Sequence, residues 1–169
     1  YGMTCLHYAA LHKSEEAQPL IQYFLEHPAV NVSAKAEVKH PPTILHLLVQ
    51  HQNIDMVKKL LDLHPGTDVN HQTYEGFTPL HFAAEYGDKQ MVKLFLGHPN
   101  VNVNAKEDIH GRTPFHHAIV KHRNENVLKD FIDCDKVNIN ATTKDGQTPF
   151  SLCLSELNKK NSEAREFPT

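Results

Sequence analysis

The chain has no tryptophan and only three cysteines in 169 residues. Cys5, Cys134 and Cys153 are odd in number and show no CxxC spacing. Neither a disulfide framework nor a zinc knuckle is indicated, and a reducing, intracellular, cytoplasmic setting is the natural expectation. No apolar run approaches the ~18 residues of a membrane span, and no signal peptide is visible, although the chain starts at Tyr1 and not at methionine. Lys and Arg total 17 against 20 Asp and Glu, without the basic run that neutralises phosphates, which argues against nucleic acid as a partner. A Gly-rich phosphate loop, a GxSxG elbow and paired carboxylates are missing as well. No catalysis and no cofactor are therefore expected.

What is present is a folded composition, 40% hydrophobic, with fourteen histidines that would raise the net charge between roughly pH 7 and 5 if free to titrate. The chain also repeats itself. GMTCLHYAA from Gly2, PPTILHLLV from Pro41, GFTPLHFAA from Gly76, GRTPFHHAI from Gly111 and GQTPFSLCL from Gly146 start 39, 35, 35 and 35 residues apart. A second element lies between them: HPAVNVSAK from His27, HPGTDVNHQ from His64, HPNVNVNAK from His98 and a decayed CDKVNINAT from Cys134. Two elements at one period define a repeat unit.

Each unit reads as two short helices. Thr4, Thr43, Thr78, Thr113 and Thr148 can cap a first helix through the hydroxyl, and in three units a proline follows where its missing N–H costs nothing. Leu80, Ala83 and Ala84 give that helix a small apolar face, and Gly87 ends it. Met91, Val92, Phe95 and Leu96 make the following run amphipathic; Val57, Leu60 and Leu61, and Val127, Leu128, Phe131 and Ile132, form the same face in other units. One helix pair cannot bury both faces, so copies must stack.

The threonine motif and the period resemble those of ankyrin-repeat proteins, whose unit carries a T-P-L-H-x-A signature. The resemblance covers nearly the whole chain and implies an all-α solenoid of stacked helix-turn-helix units with β-turn or hairpin fingers. Its units are expected at about 1–36, 37–72, 73–107, 108–142 and 143–169, forming one domain over 1–169. The departures concentrate at the ends: Cys5 and Ile44 replace the proline, Pro41 the turn glycine and Ser151 the histidine, and the first and last units have long joins, LHKSEEAQP and LNKKNSEAR. A fragment of a longer protein, its last unit cut off, is expected.

The resemblance implies a structural role for His7, His46, His81 and His116, their rings bonding near the turn and to the adjacent unit. Histidine pairs five apart, such as His117 and His122, lie about 140° from each other around a helix and share no ligand face. His27, His64 and His98 recur once per unit, ~8–10 Å apart in a stack, too far for one zinc with ~2 Å bonds. No metal site is expected. Cys5 and Cys153 occupy apolar or capping positions and are expected to be packed, with Cys134 more open. Asn70, Asn104 and Asn140 read as turn residues that satisfy backbone groups. Some ankyrin-repeat proteins are hydroxylated at this asparagine, and only Asn70 has an acidic residue, Asp68, two places earlier.

In ankyrin-like stacks the turn tips and exposed first-helix faces line a groove where partners bind. Carried over by the repeat, the candidate partner-binding residues are His12, His51, Tyr74, Glu75, Phe77, Glu85, Tyr86, Ile109, His110, Arg112, Val120 and Lys121. Tyr74, Phe77 and Tyr86 are large aromatics where exposure is expected, and Tyr and Arg are enriched at interface hot spots. The expected function is binding of another protein by a monomer, with no membrane or nucleic-acid partner. Two further readings are the recruiting or regulatory arm of a larger enzyme or secreted bacterial effector, and a spacer or self-assembling scaffold.

Overall fold

The computed structural model describes residues 4–11, 17–27, 30–32, 42–86, 88–121 and 124–163, side chains of 159–163 excepted. Among them the backbone forms helices and turns, without a strand. The helices are α1 (Cys5–Leu11), α2 (Ala17–Glu26), α3 (Ile44–Gln50), α4 (Ile54–Leu63), α5 (Pro79–Tyr86), α6 (Lys89–Gly97), α7 (Pro114–Lys121), α8 (Glu125–Ile132) and α9 (Pro149–Glu163). The first helices form one layer, α1 on α3 on α5 on α7 on α9, and in the second layer α2 packs on α4 and α6 on α8. The shared core includes Leu45, Val57, Leu60, Leu80, Met91, Phe95 and Phe131, all fully buried.

Every first helix begins directly behind its threonine, but the hydroxyl does more than cap. In α3 and α5 it meets the histidine Nδ1 three residues on, at 2.9 Å for Thr43 and His46 and 2.8 Å for Thr78 and His81. The threonine N–H donates to the same nitrogen, at 3.2 and 3.1 Å. Histidine thus takes the part that glutamate plays in a capping box. Second helices are capped by short polar side chains: Asn53 accepts from Met56 N–H, Asp88 from Met91 N–H and Asn124 from Asn126 N–H.

Three expectations are corrected. The fifth unit does not break between Leu157 and Glu163, where a join was expected: α9 runs 15 residues to Glu163, and no glycine or proline follows Pro149 within it to stop the helix; the end of that join, 164–165, lies outside the described residues. Ile132, expected on the buried face of α8, is 58% exposed because no second helix covers it among the described residues. Cys5 is exposed instead of packed, while Cys134 and Cys153 are half-buried against the core.

Candidate functional site: fingertips and groove

Between helix pairs the chain turns through a finger. In the finger of the third unit, Thr73 N–H donates to Phe77 O at 2.9 Å, and the Thr73 hydroxyl accepts from Phe77 N–H at 3.2 Å. Gly76 sits at φ +80°, where a side chain would be strained and where a Cβ would lie 2.7 Å from the Asp108 backbone nitrogen. The finger at Thr143 repeats this pattern, Thr143 closing on Gln147 through the same two bonds.

The finger between them differs. From Asn70 to Gly76 and from Asn140 to Gly146 the chain advances 6 residues; from Asn104 to Gly111 it advances 7. The lacing between fingers locates the extra residue. Asp108 N–H donates to Glu75 O and Lys144 N–H to His110 O, both at 2.8 Å, so Asp108 takes the place of Tyr74 and His110 that of Glu75. Ile109 is inserted between them. Alignment on the glycines had paired Ile109 with Tyr74; the backbone bonds correct that.

A threonine cannot close this longer loop, and Glu107 stands in its place. Its carboxylate, only 2% exposed, accepts from the backbone N–H groups of Ile109, His110 and Arg112. Burial works to raise its pKa, but these donors and nearby His117 outweigh it, and the group stays below the ordinary glutamate value. Sequence reasoning passed over Glu107, although the extra residue between Asn104 and Gly111 signalled it.

Histidines join each first helix to the next finger. The Nε2 of His46, His81 and His116 meets the backbone carbonyls of Phe77, Arg112 and Gln147 at 3.1, 3.1 and 3.3 Å. Because a backbone N–H can only donate, Nδ1 is the acceptor and the ring proton sits on Nε2. Burial lowers the pKa of His46 to about 4 and of His81 to about 3. His117, 4% exposed, is likewise lowered to about 4, mainly by burial and further by Arg112 and Lys121 against the opposing Glu107. These three do not titrate between pH 7 and 5, which corrects the expectation drawn from composition.

The candidate residues separate into two groups. Tyr74 is 74% exposed and Ile109 49%, on adjacent laced fingers, with Glu75 and His110 exposed beside them. The aromatics expected to join Tyr74 are half-buried instead: the Phe77 ring lies 5.1 to 5.8 Å from the rings of His81, Phe82 and His117, and Tyr86 stacks on Phe82 at 6.4 Å. Glu85 and Lys121 satisfy each other at 2.9 Å across α5 and α7. Arg112 is half-buried with its Nε lacking a hydrogen-bond partner, and Val120 is half-buried. His51 caps α3 away from the fingertips, its N–H on the Leu47 carbonyl while the next N–H, of Gln52, takes that of Val49. His12 lies outside the described residues. No group of three or more His, Cys, Asp or Glu among the described residues could hold a metal ion, and none of their helices is long and apolar enough to cross a membrane.

The family model for ankyrin repeats (3 copies) matches residues 1–73, 45–145 and 80–163. Rabankyrin-5 of Homo sapiens is 30% identical over 134 residues, 72% of this chain and 11% of that protein. The NF-kappa-B inhibitor cactus of Drosophila melanogaster is 33% identical over 98 residues, 57% of this chain and 19% of cactus. A Dictyostelium discoideum protein named "Probable serine/threonine-protein kinase" is 36% identical over 100 residues, 56% of this chain and 12% of its own length. The chain thus spans a small part of each relative. Ankyrin repeats are general protein-interaction modules, and nearly every residue of this chain falls within the matched stretches. The chain belongs to the ankyrin-repeat family.

Proposed function

We propose that the chain is a non-catalytic, cofactor-free module that holds a partner protein at the fingertips bearing Tyr74 and Ile109 and along the adjoining groove. The observation that carries this reading is the insertion of Ile109. It lengthens one finger, calls for a buried carboxylate to hold the loop, and leaves its own apolar side chain 49% exposed. A frame under selection for stability alone has no use for such a residue, whereas exposed apolar side chains on rigid turns are what an interface uses. Arg112 adds a cation suited to an acidic group on the partner. In this reading the chain works as an intracellular monomer, without nucleic acid or membrane. Likeness to a protein named as an inhibitor of NF-kappa-B supports a role in holding another protein.

A photo-crosslinking residue at position 109 tests the placement against one at position 58, on the exposed side of α4. Labelling of a bound protein from 109 alone supports it; equal labelling from both contradicts it.

A second reading, the recruiting or regulatory arm of a larger enzyme, draws on the likeness to the Dictyostelium protein, only 12% of which this chain covers.

A further inference from the structure

Arg112 stands at the place that Phe77 holds one unit earlier, directly before the helix threonine. The backbone carbonyl of each meets a histidine Nε2 of the preceding unit, His46 for Phe77 and His81 for Arg112. Phe77 is held there by rings, 5.6 Å from His81, 5.8 Å from Phe82 and 5.1 Å from His117. At the next step the chain puts a guanidinium where that ring was. The first helices on either side of this step, α7 and α9, are both present and pack on each other, so the position is interior to the row.

The groups around Arg112 leave its charge unanswered. The side chain is half-buried, its Nε is buried without a hydrogen-bond partner, and it forms no ion pair among the described residues. The carboxylates of this face are committed elsewhere. Glu107 accepts from the N–H groups of Ile109, His110 and Arg112 itself, and Glu85 pairs with Lys121 at 2.9 Å. His116 and His117 are near enough for the guanidinium to lower their pKa values beyond what burial does, and neither can supply a negative charge. The neighbouring lysines are engaged as well: Lys121 by Glu85, Lys106 by the Thr142 carbonyl and Lys144 by the Asp108 carbonyl. A half-buried cation without a counter-ion costs free energy that a glutamine would avoid, and Gln147 occupies this very place one unit later. The stability of the stack gives no reason for the charge, whereas an anionic group on a ligand does.

We propose that Arg112 anchors one carboxylate of the partner protein, the side chain of an Asp or Glu. The planar fork of the guanidinium matches a carboxylate with two parallel hydrogen bonds. Charge decides between this group and a phosphate: a dianion would bring a second negative charge beside Glu107, whose field reaches His117 together with that of Arg112. The carboxylate arrives on a chain held at Tyr74 and Ile109, so the assignment rests on that reading and names the group the partner brings.

The probe is a displayed library of random peptides, selected on the 169-residue chain with an excess of the soluble Arg112→Gln chain as competitor. Gln147 shows that glutamine suits this place in the repeat, and circular dichroism checks the variant's fold. The surviving peptides are expected to share one Asp or Glu at a fixed position. Changing that residue to Asn or Gln weakens binding to the unmodified chain about tenfold or more, and binding to the Arg112→Gln chain hardly at all. Phosphoserine at the same position binds more weakly than Glu. Failure of any peptide to distinguish the two chains, survivors without a common acidic residue, or an equal loss on both chains overturns the proposal. Tighter binding of the phosphoserine peptide overturns the choice of a carboxylate. The fingertip reading is judged apart, on the Tyr74→Ser, Ile109→Ser chain: peptides that bind it at full strength while keeping their acidic requirement contradict the fingertips and leave Arg112 as an anchor.

Discussion

The Nε2–H of His81 donates to the backbone carbonyl of Arg112, 31 residues further along, at 3.1 Å. One ring thereby ties the start of α5, through Thr78, to the base of the next finger. Removing it leaves the Thr78 N–H and hydroxyl without this partner in a buried place and takes from the Arg112 carbonyl one of its two donors, the Glu107 N–H remaining at 3.0 Å. His81→Ala is expected to cost about 3 kcal/mol or more, from lost hydrogen bonds and the cavity together. Urea denaturation measures it, and a loss well under 1 kcal/mol would show that the ring is not an anchor.

Acid should loosen the stack before it affects exposed carboxylates. His46 and His117 are lowered to about 4 and His81 to about 3 in the fold, against an ordinary value of 6.5 in the open chain. Between those limits the unfolded chain binds more protons, so stability is complete above pH 6.5 and falls as the pH drops toward 4. Each group contributes a slope approaching about 1.4 kcal/mol per pH unit in that window. Melting temperature followed from pH 7.5 to 4.5 should decline steadily; a flat profile is incompatible with buried neutral rings.

Glu107 and Ile109 are expected to act as a pair. Glu107→Thr leaves a loop too long for the shorter side chain to close and strands backbone donors, costing about 2 kcal/mol. Deleting Ile109 in the same chain restores the spacing of the neighbouring fingers and should recover most of that loss. If the deletion adds to the damage, Ile109 is not the inserted residue.

The glycines separate two costs. Gly146→Ala meets nothing within 4 Å and should cost about 1 kcal/mol, for the positive φ alone. At Gly76 the added Cβ also collides with the Asp108 nitrogen, 2.7 Å away on backbone that cannot swing aside. Gly76→Ala should therefore be clearly the worse of the two by denaturant midpoint. Equal losses would mean that the fingers are not held together at that contact.

The repeat frame was legible because its bonds are local and recur. Thr78 and His81 are three residues apart, and their counterparts sit at the same offset in neighbouring units, so the pattern surfaces in one sequence. Placement of the exposed side chains was less legible, since exposure depends on neighbours. Phe77 and Tyr86 looked like surface aromatics at variable positions, but Phe82 and His117 hold them half-buried. Tyr74, at a turn tip with nothing above it, was read correctly as exposed. Ile109 was picked out for a reason that the backbone bonds revised, its distinction being insertion and not equivalence to Tyr74. The continuation of α9 from Leu157 to Glu163 was concealed by analogy with units that carry a break, while those residues themselves contain no helix stop.

The central claim is that fixed residues hold the stack and that Tyr74 and Ile109, at its tips, hold the partner. The most direct measurement compares melting and partner capture for the Tyr74→Ser, Ile109→Ser double variant. Both positions are exposed, so stability should change by no more than about 1 kcal/mol, while capture of the protein bound by the unmodified chain is lost. Capture that persists undiminished in a variant of unchanged stability would contradict it.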